Sequence, residues 1–215
     1  MLTLSYHTEH ETITDPDFCG DYIKETQASI YYVSDDLVCE VNTEREIAQL
    51  PKTHIGSISW TYVYARDMER EGMSCSDMCS SFDEDLALLY FRLFDEDGIF
   101  NDSVCKAIND HILSVVDFAL IRDFEIFPEF RGQGVGLMIL DLICRRIVNG
   151  AAVIAIQPMP VQFCEVGQVE EYAKEMELEK FAKDQVEAKA RLKKYYKKAG
   201  FVPLKRSEFL IRGQS

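Results

Sequence analysis

The chain has 215 residues, 47% of them apolar, enough for a sizeable core, and a formal net charge of −14. That charge disfavours polyanionic partners, so direct nucleic-acid binding is not expected. No apolar run reaches the roughly 18 residues of a membrane span, and Met1 to His7 lack a signal peptide's basic-then-apolar pattern, so a cytoplasmic protein is expected.

Residues 30–33 and 37–41 read as short strands around Ser34-Asp35-Asp36. Residues 55–65 alternate, with Ile58, Trp60, Tyr62 and Tyr64 on one face and Ser57, Ser59 and Thr61 on the other, the pattern of a half-buried strand. Residues 66–81 are polar, contain Gly72 and read as a loop. A helix is expected over 82–94, opened by Ser81-Phe82-Asp83-Glu84 and closed by Asp95 to Gly98, with a second over 101–113. A strand over 115–127 runs into the glycine-rich turn 128–136, and an apolar helix over 137–148 leaves it, stopped by Asn149-Gly150. The run 151–156 suits a central strand, which Pro158 and Pro160 end. Residues 165–198 follow a helical pattern, acidic first and basic last, an order that complements the helix dipole. A closing hairpin is expected over 201–204 and 208–212.

The seven cysteines include no C-x-x-C pair, and the four histidines form no metal-like cluster in sequence, so reduced thiols and no metal are expected. The turn carries more chemistry. Gly132, Gly134 and Gly136 lie between a strand and a helix, where backbone N–H groups and the helix dipole can cradle an anion such as a pyrophosphate. The P-loop pattern fails, because Leu137-Met138 stands where Lys-Ser or Lys-Thr is required. The dinucleotide pattern G-x-G-x-x-G fails at Leu137.

Arg131, Gly134 and Gly136 satisfy a third pattern, Arg/Gln-x-x-Gly-x-Gly/Ala, and Ile126-x-Pro128-x-Phe130-Arg131-Gly132 extends it upstream. Downstream stands Tyr195-Tyr196-Lys197-Lys198-Ala199-Gly200-Phe201. Together these resemble the coenzyme A loop and the Phe-Tyr-x-Lys-x-Gly-Phe motif of the GNAT superfamily of N-acetyltransferases. The resemblance covers about 115–212; residues 1–114 match only in the size of their elements. It implies one 1–215 domain of the α/β (α+β) class, with a mixed, mostly antiparallel splayed sheet flanked by helices and an insertion at about 158–180 that could cover the acceptor site.

The resemblance further implies an acetyl-CoA-dependent N-acetyltransferase acting on a primary amine, of a small molecule or a peptide, by direct transfer in a ternary complex. Acetyl-CoA is then a co-substrate, held by Ile126 and Phe127 of the strand and by Arg131, Gly132, Gln133, Gly134, Val135 and Gly136 of the turn. Tyr196 falls on the family's general-acid position and Tyr195 on its packing neighbour, with the swapped assignment open. Relatives carry a base nine or eleven residues before the loop arginine, where this chain has Arg122 and Leu120. Glu125 is therefore the candidate base, and it needs a bulge to face the gap; Asp123 ranks below it. Tyr62, Tyr64, Phe82, Gln157 and Met159 are candidate acceptor-lining residues by location. The departure at the base position leaves two rivals: an acyl-CoA-binding protein without turnover, and an acetylating toxin directed at charged tRNA. Dimers are frequent in the family, so a homodimer is allowed.

Overall fold

The computed structural model describes residues 22–33, 50–109, 115–146, 148 and 150–214. The expected strand at 37–41, the end of the helix expected over 101–113, and Asn149 lie outside them. Among the described residues six strands form one sheet: β1 Ile23–Tyr32, β2 Thr53–Val63, β3 Phe118–Ile126, β4 Val153–Ile156, β5 Val202–Pro203 and β6 Leu210–Gly213. Their order is β1-β2-β3-β4-β6-β5. Every neighbouring pair is antiparallel except β3–β4, which is parallel. The expected mixed, mostly antiparallel α+β architecture flanked by helices is thus present.

Helices cover both faces. On one lie α1 Ala65–Arg70, α2 Cys75–Phe82, α3 Glu84–Leu93 and α4 Asp102–Ile108. Their Met68, Cys79, Leu86, Leu89, Leu93 and Val104 pack with Phe118 and Leu120 of β3. On the other face, α5 Val135–Arg146 and α7 Gln185–Lys198 bring Ile139, Ile143 and Tyr196 against Ala119 and Ile121. Successive β3 residues therefore feed opposite cores, as the two-residue strand period requires.

This double cover corrects the reading of 55–65 as half-buried. Thr61 and Val63 are fully buried on the face expected to be open. The expected loop 66–81 is instead α1 and α2. Polar sequence hid them, because each helix is short and buries little: Ala65 and Met68 in α1 and Cys79 in α2. Ser74 caps α2 by accepting from Asp77 N–H at 3.2 Å. Asp117, at the foot of β3, holds α1 through the Arg66 N–H at 3.0 Å and its guanidinium at 2.6 Å.

The helix expected over 165–198 is also corrected. It is broken into α6 Glu170–Glu175, a single turn Leu178–Lys180, and α7. Glu177 at φ +48° ends the first piece, and Asp184 caps α7 by accepting from Glu187 N–H at 2.8 Å. The acidic and basic halves thus lie on different helices, so no single dipole spans them. No described helix is long and apolar enough to cross a membrane.

Candidate functional site

The parallel pairing of β3 with β4 runs from Phe118↔Val153 to Ile121↔Ile156 and stops. β3 continues to Ile126, still paired with β2 at Glu125↔Ser57 and Ile126↔Gly56. Beyond Ile156 the chain leaves through Gln157-Pro158, and a proline has no N–H to extend the ladder. A wedge therefore opens between the strands. Phe127 donates its N–H to the Ile55 carbonyl at 2.9 Å. Antiparallel alternation then turns the backbone groups of Phe124 and Ile126 toward the wedge and those of Glu125 and Phe127 toward β2. Of the two strand residues expected to hold the donor, Ile126 faces the wedge, and Phe127 has its N–H committed elsewhere.

A bulge stands at the mouth of the wedge. Ile58 pairs with Phe124 and Trp60 with Ile121, so Ser59 alone opposes Arg122 and Asp123. Ser59 Oγ donates to the Asp123 carboxylate at 2.8 Å and accepts from its N–H at 3.2 Å. Arg122 turns to the other face, where its Nε donates to Thr61 Oγ1 at 2.9 Å and its guanidinium pairs with Asp83. Asp83 also caps α3, accepting from Leu86 N–H at 2.7 Å.

Past the bulge, Phe124 and Ile126 pack on the α5–α7 core. Glu125 takes the opposite face, where its carboxylate accepts from the Tyr172 hydroxyl of α6. The bulge lies before Glu125 and does not turn it toward Phe124's side. Its partner is Tyr172, not the arginines on either side of it in sequence.

The turn after β3 is open backbone. Gly132 and Gly134 have φ +77° and +79°, and nothing lies within 4 Å of where a Cβ would stand on either. Left-handed backbone of this kind favours glycine. The Gly134 carbonyl accepts from Met138 N–H at 3.2 Å and starts α5, whose first-turn N–H groups have no preceding turn to bond. Gly136 differs: it is buried, and a Cβ there would overlap the Tyr195 hydroxyl. Gln133 and its glycine neighbours are exposed, and Val135 is half-buried.

Arg131 is a clip. Its Nε donates to the Ile126 carbonyl at 2.7 Å and a terminal nitrogen donates to the Met176 carbonyl at 2.9 Å. The guanidinium lies 5.0 Å from the centre of the Phe181 ring. Burial lowers its pKa from the ordinary arginine value. It ties the turn, the strand and the segment around Met176 together and takes one of the wedge-facing carbonyls.

Two tyrosines approach from α7. Gly200 at φ +86° ends that helix, and Phe201 N–H returns to the Tyr196 carbonyl at 3.2 Å. Tyr196 is 7% exposed, yet its hydroxyl has no hydrogen-bond partner among the described residues. Burial pushes its pKa well up, and Tyr195 and the Asp123 charge push the same way. Burial and then the Asp123 charge raise Cys164, whose thiol donates to the Pro160 carbonyl, while Tyr172 is raised by burial and by its bond to Glu125. Ser59 and Tyr172 were missed in the sequence: the first read as solvent face, and the second sits in a segment with no motif.

Other expectations fall elsewhere. Tyr62 pairs with Ala119 near the foot of β3 and its ring packs tilted against that of Tyr64, 4.5 Å between centroids, far along the strand from the wedge. Phe82 packs on the α1–α4 core. Gln157 and exposed Met159 follow β4 directly. Among the α7 bases, Arg191 pairs with Glu187 and Lys193 with Glu208, while Lys194, Lys197 and Lys198 are exposed.

No protein-family model matches the sequence, and no curated protein matches it. Among solved structures, a mutant of KacT superimposes with a TM-score of 0.41 at 11% identity, covering 88% of this chain and 71% of that one. The likeness is remote.

Proposed function

We propose that the protein is an acyltransferase that moves an acetyl group from acetyl-CoA to a primary amine within a ternary complex. The observation that carries this reading is the wedge: β3 outruns β4 from Ile121 to Ile126 and ends in an open glycine turn and the N-terminus of a 12-residue helix. An extended pantetheine arm fits such a gap by hydrogen-bonding the free edge of β3, with the Ile126 N–H and the Phe124 backbone groups available. The turn N–H groups from Gln133 to Gly136 and the dipole of α5 suit the pyrophosphate. The thioester supplies the activated acyl carbon.

At the bulge, Asp123 is exposed and held by Ser59, which orients it toward an incoming ammonium. Asp123 replaces Glu125 as the preferred proton acceptor, because Glu125 is occupied by Tyr172. The amine nitrogen gives its proton to Asp123, bonds to the acyl carbon, and the C–S bond breaks. The Tyr196 hydroxyl, raised in pKa and so protonated at neutral pH, donates to the departing sulfur. As the C–S bond breaks, the nitrogen's second surplus proton leaves and restores the Tyr196 phenol, so the products are a neutral amide, a thiol and a protonated Asp123.

The test is release of free thiol from acetyl-CoA across a broad amine and peptide panel. Turnover with at least one amine, lost on Asp123→Asn and Tyr196→Phe, is the expected result. The occupied Glu125 favours one second reading, an acyl-CoA binder without turnover. Tight coenzyme A binding with no thiol released by any acceptor would establish that reading instead.

A further inference from the structure

An open groove of about 410 Å³ lies on the α1–α4 face, lined by Leu88 and Arg92 of α3, Gln157, and Arg206 to Phe209 of the β5–β6 turn. It adjoins the wedge. Gln157 follows Ile156, the last β4 residue paired with β3, and Phe209 precedes Leu210, which pairs with Ile156 from the other side. The groove's charge runs against that of the chain. Arg92 and Arg206 are both exposed, and neither has a carboxylate partner among the described residues. The one acid in the lining, Glu208, is already paired with Lys189 at 2.8 Å and Lys193 at 3.5 Å. Its pKa is lowered by those lysines, so it stays ionised and neutralised. In a chain of net charge −14, two unpaired arginines facing one groove form a local cationic site.

We propose that this groove selects acceptors: the amine that enters the wedge belongs to a small molecule that also carries an anionic group, carboxylate or phosphate, held by Arg92 and Arg206. The proposal rests on the acyltransfer reading above and names its substrate class. A guanidinium pair recognises either anion through charge-assisted hydrogen bonds. Leu88 and Phe209 then face the carbon chain that separates anion from amine. The acidic surface elsewhere would draw simple cationic amines toward the protein, and the groove opposes that preference where the acceptor seats.

Matched acceptor pairs test it: 4-aminobutyrate against butylamine, and 2-aminoethyl phosphate against ethanolamine. Thiol release from acetyl-CoA is followed at low and high salt. At least one anionic member is expected to exceed its neutral partner by tenfold or more in kcat/KM, chiefly through KM. The ratio should shrink with salt and fall to about twofold in the Arg92→Gln/Arg206→Gln double variant. Both side chains are exposed, so the variant should unfold like the parent, which a thermal scan checks. The two pairs distinguish a carboxylate from a phosphate. Neutral amines within twofold of both anionic partners, or a ratio unchanged in the double variant, would overturn the proposal. If no amine releases thiol, the acyltransfer reading fails on its own. Calorimetric titration with 2-aminoethyl phosphate then still decides: binding lost in the double variant supports the anion site, and no binding to the parent overturns it.

Discussion

Removing the Tyr196 hydroxyl should move stability and activity in opposite directions. The side chain is 7% exposed and its oxygen has no partner among the described residues, so the folded state carries the desolvation cost of an unpaired hydroxyl. Leaving such a group buried costs about 1–3 kcal/mol, and replacing it by an apolar isostere recovers part of that. Tyr196→Phe keeps the ring against Tyr195 and Phe201, at 5.6 and 6.3 Å between centroids. A gain of about 1 kcal/mol is therefore expected, roughly 2–4 °C in Tm for a chain of this length. General-acid assistance is worth about 100-fold or more in rate, so thiol release should fall by ~100-fold with coenzyme A affinity retained. The raised phenol pKa adds a signature: it stays protonated above its ordinary value near 10, so the parent should show no loss of acid function between about pH 7 and 10. Unfolding by urea and thiol release on the same preparations measure both. A Tyr196→Phe protein destabilised by more than about 1 kcal/mol with turnover intact would refute the reasoning, because the hydroxyl would then have a structural partner. Tyr195→Phe is the comparison; its hydroxyl stands over Gly136, and it should lose no more than about fivefold in rate if Tyr196 is the donor.

Asp83→Ala should cost about 1–3 kcal/mol in urea unfolding, since it removes the cap of α3 and the closer carboxylate of half-buried Arg122, leaving only Asp85 at 4.0 Å. Adding Arg122→Met should restore part of the loss, and a double variant no better than Asp83→Ala alone would remove that account. Gly134→Ala should destabilise by about 1–2 kcal/mol from backbone strain alone, because φ is +79° and the space around it is open; an unchanged Tm would count against this. Arg131→Lys should expose the segment around Met176 to Phe181 to limited proteolysis, since a lysine cannot bond two carbonyls and stack on Phe181 together. Asp141 is held below its ordinary pKa by Arg212 and Arg145. Its contribution is therefore present above an unfolded value near 4 and is lost as pH falls through the lower folded pKa, so Asp141→Asn should flatten the acid limb of stability there. A stability curve unaltered below about pH 4 would rule this out.

The local geometry of the glycine turn and of several element ends was legible in the residues. Gly132 and Gly134 need left-handed backbone, Asp83 and Gly200 bound their helices, and the run from Val153 to Ile156 is apolar at every position because both faces are covered. Each of these follows from what one residue can do with its own backbone or its nearest neighbours. Tertiary structure decided the rest. Whether a polar stretch such as 66–81 folds into helices depends on a few side chains that reach a distant core, chiefly Met68 and Cys79. Which carboxylate faces the wedge depends on a bulge, where Ser59 of β2 meets two residues of β3; a one-residue slip reverses every later side chain. That slip sets Asp123 beside Ser59 and turns Glu125 to Tyr172, 47 residues away in sequence. The cationic groove is of the same kind, since Arg92 and Arg206 come together only because α3 and the β5–β6 turn pack on one face of the sheet. Periodicity and spacing report local geometry; they carry no record of which distant groups will meet across a sheet.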